Sequence, residues 1–294
     1  MPATVLLPVD GSPSSTRALE LLAGYRGERS GLRCVALNVA APPAIPYPEA
    51  AVAVQSIEDA LLQTGKRVAA EAALKLRAEG LAAEPVARLG LTVATIAEEA
   101  KNRNAALVVM GTRGHGALRG FALGSVALRV AHGADVPVCL VHPDSKLPQA
   151  FGTRLRVMLA LDGSEPALRA AQALAGWRDW LGELDVQVVH VQKPLTVAQQ
   201  ILPPHDDLVE QWSTRAAEAA TRPSLKIFES LNVKSHLHLS AGDAAEEIVH
   251  LAAHAGCELI ALGTRGKGAA HHALVGSVAL KVAAASPVPV LLVK

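Results

Sequence analysis

Leu7-Pro8-Val9-Asp10-Gly11-Ser12 returns, with its Asp-Gly-Ser intact, as Leu159-Ala160-Leu161-Asp162-Gly163-Ser164. Asp162 stands 152 positions after Asp10 (162 − 10), and the rest of the chain keeps that interval. Gly111-Thr112-Arg113-Gly114 becomes Gly263-Thr264-Arg265-Gly266, and Gly124-Ser125-Val126-Ala127-Leu128 becomes Gly276-Ser277-Val278-Ala279-Leu280. Val136-Pro137-Val138 becomes Val288-Pro289-Val290. Four separated motifs in one register mean one domain written twice. The join falls in the polar, Pro-containing stretch from His142 to Gly152, so residues 1–145 and 152–294 read as the two domains and 146–151 as a linker.

Within the first copy, Thr4 to Val9 is a short apolar run that ends in Asp-Gly-Ser-Pro, a strand followed by a turn. Ser14 or Ser15 is placed to cap the helix that follows, which runs to Gly24. Further strands are expected at Arg33 to Val39, Glu84 to Leu89, Ala106 to Met110 and Val136 to Val141. Helices are expected from Ala50 to Glu79, Val93 to Lys101 and Gly124 to His132, and the prolines between Ala41 and Pro48 mark an extended crossover loop. The second copy repeats the order, with strands at Arg156 to Leu161, Asp185 to Val191, Val233 to Leu239, Glu258 to Leu262 and Val288 to Val293. Its proline loop is Lys193 to Pro204. Strands alternating with helices are parallel and joined by right-handed crossovers, which gives an α/β fold: two tandem open five-stranded parallel sheets flanked by helices. Ligands of such sheets bind beyond the carboxyl ends of the strands, where both the Asp-Gly-Ser turn and the glycine loop lie.

Composition agrees. The chain has 294 residues, 50% hydrophobic and only 3% aromatic, so Ala, Val and Leu must fill strands buried on both faces. Its 28 basic and 27 acidic residues nearly cancel, which provides no field for nucleic acid or an anionic membrane. No stretch of about twenty apolar residues offers a transmembrane helix, and Met1 to Asp10 lacks the pattern of a signal peptide. Cys34, Cys139 and Cys257 match neither a disulfide framework nor a metal spacing, and the cytoplasm is the simplest setting.

The chemistry-bearing stretch is Met110-Gly111-Thr112-Arg113-Gly114-His115-Gly116-Ala117-Leu118-Arg119-Gly120, which re-enters a helix at Gly124-Ser125. Glycines let a backbone curve around a ligand with its N–H groups inward, and a helix N-terminus adds unpaired N–H groups and a positive dipole end. That combination is an anion cradle. Ser125 stands where its hydroxyl either donates to a phosphate oxygen or caps the helix, and Arg113 adds positive charge. The spacing Gly-x2-Gly-x9-Gly-Ser occurs at Gly111, Gly114, Gly124 and Ser125 and again at Gly263, Gly266, Gly276 and Ser277.

With these motifs the chain resembles the universal stress protein family, whose nucleotide-binding branch carries this glycine pattern after strand four and an aspartate after strand one. The resemblance covers both halves and the closing Val-Pro-Val strand. It implies a sheet order of 3-2-1-4-5, an adenine nucleotide alpha hydrolase-like (Rossmann-like) fold, and ATP as the ligand, with Mg2+ carried through the phosphates. It implies that Asp10 and Asp162 approach the adenosine end and that Val39 and Val191 line the adenine pocket, with Pro8, Met110, Ala160 and Leu262 also at the nucleotide site. It further implies that Gly111, Gly114, Gly124 and Ser125, with Gly263, Gly266, Gly276 and Ser277, hold ribose and phosphates, and that Arg113, Val126, Arg265 and Val278 also belong to the nucleotide site. The closing strands Val136 to Val141 and Val288 to Val293 are those that pair across a two-fold axis in the family, so the two copies are expected to act as their own dimer, with association into a homodimer left open. For Asp10 and Asp162 a plain alternative stands beside the ligand role: a turn aspartate bonding its own backbone.

The copies differ at His115 and Lys267, Arg119 and His271, Asn38 and His190, and Met110 and Leu262, which leaves open which site binds more tightly. A P-loop ending in Gly-Lys-Ser/Thr is absent, and so is a Gly-x-Gly-x-x-Gly directly after strand one. Neither glycine loop brings a carboxylate to activate water, so no catalytic residue is assigned. His236 and His238 share a strand face, and His250 and His254 lie one helical turn apart, but two ligands do not make a metal site. Trp177, Trp180 and Trp212 are expected beneath helices. A nucleotide-responsive module acting on an unknown protein partner, a slow ATPase, and an interaction protein with degenerate pockets are the functions that these residues admit.

Overall fold

Strand β1 (Ala3–Pro8) leads into helix α1 (Pro13–Ala23), β2 (Leu32–Ala40), α2 (Ala51–Ala78), β3 (Ala82–Leu89), α3 (Thr92–Asn102), β4 (Leu107–Gly111), α4 (Ser125–Gly133) and β5 (Val138–Val141). The second copy runs β6 (Arg154–Ala160), α5 (Glu165–Gly176), the single turn α6 (Arg178–Leu181), β7 (Glu183–Gln192), α7 (Asp206–Ser230), β8 (Lys234–Ala241), α8 (Ala244–His254), β9 (Leu259–Gly263), α9 (Ser277–Ala285) and β10 (Val290–Val293). This computed structural model describes residues 2–42, 51–114, 123–192, 206–266 and 275–294. Residues 43–48 and 193–204 of the two proline loops, and His115, Arg119, Lys267, His271 and His272, lie outside the described residues.

The chain divides into two compact units. In the first, the strands lie in the order β3-β2-β1-β4-β5, and every described pairing is parallel. In the second the order is β8-β7-β6-β9-β10, the same arrangement, again with all described pairs parallel. These are the strand orders that the family resemblance implies. β5 and β10 start at Val138 and Val290, two residues later than Val136 and Val288. Pro137 and Pro289 have no N–H to donate, yet their carbonyls still accept from Val108 (3.0 Å) and Ile260 (3.0 Å).

β4, β5, β9 and β10 are buried along almost their whole length because helices cover both faces of each sheet. In unit one α1 and α2 share one face while α3 and α4 share the other. Tyr25 and Phe228 are the bulkiest fully buried side chains, and most of the remaining core is Ala, Val and Leu. The stretch expected as a linker is shared between the units. Phe151 packs edge-on against Tyr25 with ring centroids 5.7 Å apart, and its carbonyl accepts from Arg26 N–H, so 149–152 belong with unit one. Lys146 to Pro148 go with unit two, where Lys146 N–H reaches the Pro287 carbonyl.

The duplication reaches the backbone conformation. Gly80 (φ +81°) corresponds to Asn232 (φ +53°), and Asn104 (φ +48°) to Gly256 (φ +64°). The copies exchange the two residue types that best tolerate the left-handed region, so the turn survives while the residue changes.

Candidate functional site

The crossover leaving β1 runs toward β2, whereas the strand on its other side, β4, connects onward to β5. The two carboxyl ends therefore open a crevice between them, and unit two repeats it between β6 and β9. One wall is the Asp-Gly-Ser turn. Gly11 has φ +81° and Gly163 φ +74°, which lets the chain reverse into α1 and α5. Asp10 Oδ1 accepts the Ser12 N–H at 2.9 Å, and Asp162 Oδ1 accepts the Ser164 N–H at 3.0 Å. The local backbone bond thus forms in both copies, and it occupies one carboxylate oxygen.

Helix α1 is capped by Ser12, not by Ser14 or Ser15. The Ser12 hydroxyl accepts from Ser15 N–H at 3.2 Å, and Ser164 does the same for Ala167 N–H at 3.3 Å. Pro13 explains the shift: a proline suits the first helical position, so the cap falls on the residue before it. The same hydroxyls donate across the crevice, Ser12 Oγ to the Arg113 carbonyl at 3.1 Å and Ser164 Oγ to the Arg265 carbonyl at 3.2 Å. One serine therefore ties the aspartate turn to the glycine loop.

The glycines divide into two kinds. A Cβ on Gly111 would lie 2.5 Å from Ser14 Cβ and 2.6 Å from the Ser14 carbonyl carbon, and one on Gly263 would lie 2.8 Å from Ala167 N. These positions need glycine because β4 and β9 end against the first turn of a helix, whatever the ligand. A Cβ on Gly114 would instead meet Asp10 Oδ2 at 2.9 Å, and one on Gly266 would meet Asp162 Oδ2. Here the missing side chain leaves room for the second oxygen of the aspartate beside the loop backbone.

Gly124 and Gly276 are the N-caps of α4 and α9, and neither helix start has a side-chain cap. Their N–H groups donate to the Thr112 and Thr264 carbonyls at 2.8 and 2.7 Å, which anchors the loop's return. Ser125 and Ser277 are exposed first helical residues, with Val126 and Val278 partly covered behind them. Pro8, Met110 and Leu262 are buried strand-end residues, while Val39, Ala160 and Val191 are half-buried at the same edge. Two polar atoms of the loops are buried without a hydrogen-bond partner among the described residues: Thr112 Oγ1 and Arg265 Nε. Arg113 is half-buried, and beside it His142 is pushed below its ordinary pKa by burial and by the Arg113 charge, with Asp144 acting the other way.

Asn38 and His190, noted in the sequence as a difference between the copies, do the same thing. Asn38 Nδ2 donates to the Val9 carbonyl at 2.7 Å, and His190 Nδ1 lies 2.7 Å from the Leu161 carbonyl. The signal was their shared register, but their targets became visible only in three dimensions. Three further histidines make local contacts. His238 Nε2 pairs with Gln187 Oε1 at 2.8 Å, and the rings of His250 and His254 stack with centroids 6.5 Å apart. Trp180 is buried, with its ring centroid 5.3 Å from that of Trp177, and the side chain of Trp212 is outside the described residues. Among the described residues, no three His, Cys, Asp or Glu side chains group to hold a metal, and no helix is long and apolar enough to cross a membrane. A separate shallow groove lined by Gly11, Pro13, Thr16, Arg17, Glu20 and Pro143 contains none of the candidate site residues.

Parallel order 3-2-1-4-5, with a carboxylate turn facing a glycine loop across the switch point, defines a doubly wound α/β domain, here present twice. The chain belongs to the universal stress protein family, whose model matches residues 1–142 and 153–294. It is 28% identical over 296 residues to a universal stress protein of Mycolicibacterium smegmatis, covering 99% of this chain and 96% of that one. A universal stress protein of Mycobacterium tuberculosis is 27% identical over 309 residues, with the same coverage of 99% and 96%. Among solved structures, a universal stress protein from Archaeoglobus fulgidus superposes with a TM-score of 0.69 at 24% identity, over 99% of this chain and 96% of that one. A Pseudomonas aeruginosa protein superposes with a TM-score of 0.61 at 17% identity, over 99% and 92%.

Proposed function

We propose that each unit binds an adenine nucleotide at its switch point, that the ligand is ATP with Mg2+ carried on its phosphates, and that the chain is a nucleotide-responsive module of the cytoplasm. The observation that carries this proposal is the carboxylate of Asp10 or Asp162, fixed through one oxygen and facing a glycine with the other, in both copies. A carboxylate held beside side-chain-free backbone suits a sugar hydroxyl, which donates to a carboxylate. Pro8, Val39 and Met110, with Ala160, Val191 and Leu262, would line the base side.

The phosphate side rests on Gly114, Gly124, Ser125 and Val126 and on Gly266, Gly276, Ser277 and Val278, with Gly111 and Gly263 holding the loops against the helices. Helix starts capped only by glycine leave first-turn N–H groups free of side-chain acceptors, as an anion requires. Arg265 Nε, buried without an acceptor among the described residues, is a donor suited to a phosphate oxygen, and Arg113 supplies the matching charge in unit one. Mg2+ finds no protein cage among the described residues, so phosphate oxygens and water would hold it. It would reduce the negative charge that each loop has to meet. Ordering of the loops by nucleotide would change the surface shown to a protein partner, because a ligand favours the conformer that it binds best.

The test is a calorimetric titration of Mg-ATP into protein stripped of nucleotide. Two equivalents per chain support two working sites, and one shows that a single copy has kept the function. No heat, together with no rise in melting temperature where ligand at about 100 dissociation constants should add roughly 2.7 kcal/mol, refutes the nucleotide function.

A further inference from the structure

In each unit one carbonyl lies just past the end of the sheet ladder at the mouth of the crevice, on a buried residue, Val9 or Leu161. β1 ends at Pro8, paired with Leu37, and Val9 N–H still donates to the Leu37 carbonyl at 2.8 Å, but the Val9 carbonyl lies past the last paired residue of the β1–β2 ladder. A carbonyl so placed needs a donor or a water. In unit one the donor is Asn38 Nδ2, from the β2 residue next to Leu37. In unit two Leu161 N–H donates to Val189 at 2.9 Å, and the Leu161 carbonyl is met by Nδ1 of His190. Val9 and Leu161 directly precede Asp10 and Asp162.

We propose that Asn38 and His190 are positioning residues for nucleotide: each sets the aspartate by holding the carbonyl before it, and what both positions require is a nitrogen donor one bond from Cγ. Asn Nδ2 and His Nδ1 are both attached to Cγ, so two chemically different side chains place an N–H at the same point. This explains why the copies exchange these residues while the rest of the chain of bonds is identical. That chain runs from Asn38 to Val9, then Asp10, Ser12 and Arg113, and from His190 to Leu161, then Asp162, Ser164 and Arg265. Packing shows the same exchange. Asn38 Oδ1 is pressed against α2 where a Cβ on Gly65 would lie 2.5 Å away, and the corresponding α7 position is Ala217, which is buried.

The chemistry also fixes the tautomer. The Leu161 carbonyl only accepts, so Nδ1 of His190 must carry the hydrogen, and the lone pair of the neutral ring is on Nε2. Aspartate has no donor, leucine has none, and glutamine places its amide one bond too far.

The inference rests on the nucleotide function proposed above, so the experiment has one readout with nucleotide and two without. His190→Leu and Asn38→Leu remove the donor, whereas His190→Asn and Asn38→His exchange it. In nucleotide-free protein, hydrogen exchange of the Ser164 amide should quicken in His190→Leu and return in His190→Asn, with the Ser12 amide following Asn38 in the same way. Mg-ATP titration should show the affected site weakened roughly 3- to 10-fold by leucine, the worth of one hydrogen bond, and restored by the donor exchange. In an Asp162→Ala background His190→Leu should add no further loss. Nitrogen-15 NMR of His190 should show a protonated Nδ1 and an unprotonated Nε2 at high pH. A neutral ring protonated on Nε2, leucine variants that exchange like the parent, or donor exchanges that fail as badly as leucine would overturn the proposal. If the parent binds no Mg-ATP, the nucleotide function falls, and the exchange and NMR readouts still decide whether these residues hold the turn.

Discussion

Gly111→Ala and Gly114→Ala add one methyl group each, three residues apart in the same loop, and should fail in different ways. The Gly111 methyl would lie 2.5 Å from Ser14 Cβ, 2.6 Å from the Ser14 carbonyl carbon and 2.7 Å from Ser15 N. Two of those atoms are backbone in the buried first turn of α1, so no rotamer change relieves the contact and the helix must move off β4. Overpacking of this kind costs about 1–3 kcal/mol. At about 2–4 °C per kcal/mol for a domain of this size, the melting temperature should fall by roughly 2–12 °C. The Gly114 methyl meets only Asp10 Oδ2, at 2.9 Å, and that exposed carboxylate can swing aside. Stability should therefore hold, but the aspartate leaves its position and one equivalent of Mg-ATP should be lost from the titration. Gly133→Ala is the control, since a Cβ there meets nothing within 4 Å, and its stability should be unchanged or higher by up to about 1 kcal/mol. Differential scanning calorimetry and titration calorimetry on the three variants decide the matter. A Gly111→Ala protein that melts with the parent would refute the packing role given to that glycine.

Glu99 accepts from Arg88 Nε and Arg103 Nε, both at 2.7 Å, and Arg103 continues to Glu84 at 3.1 Å. Burial alone pushes the Glu99 pKa up, but the hydrogen bonds from Arg103 and Arg88 outweigh it and hold the group below the ordinary glutamate value. A folded pKa below the unfolded one means stability that is present above about pH 4.3 and lost as pH falls through the folded value. Glu99→Gln should thus cost about 2 kcal/mol in urea denaturation at pH 7, and the difference from the parent should vanish in acid. Cys34, Cys139 and Cys257 are buried and free, and burial pushes each thiol up to about 12. A thiol-reactive chromogen should therefore label none of them in native protein at pH 8 and all three in denaturant; fast native labelling would contradict their burial.

The duplication was fully legible in the sequence, because a repeat at a fixed interval of 152 is a one-dimensional fact (Asp162 against Asp10). So was the alternation of strands and helices, since apolar runs, proline loops and glycine turns act over a few residues, and element ends shifted by only a few positions. The sequence also placed Asp10 and the glycine loop at one sheet edge, which follows from strands that all point the same way. Several details lay beyond it. The short helix α6 was not anticipated, and 149–152 joined unit one because Phe151 found Tyr25.

What each residue does within the crevice was decided by tertiary structure alone. Gly111 carries the same letter as Gly114, but only the placement of α1 against β4 makes the first a packing requirement and the second an opening beside Asp10. Ser12 reaches a carbonyl 101 positions away, and Asn38 one that is 29 positions away. Such contacts exist only once β1 lies between β2 and β4. Local propensity fixes which segments become strands, but the side chain that completes an open hydrogen bond at a strand end is supplied by whichever strand the fold sets beside it.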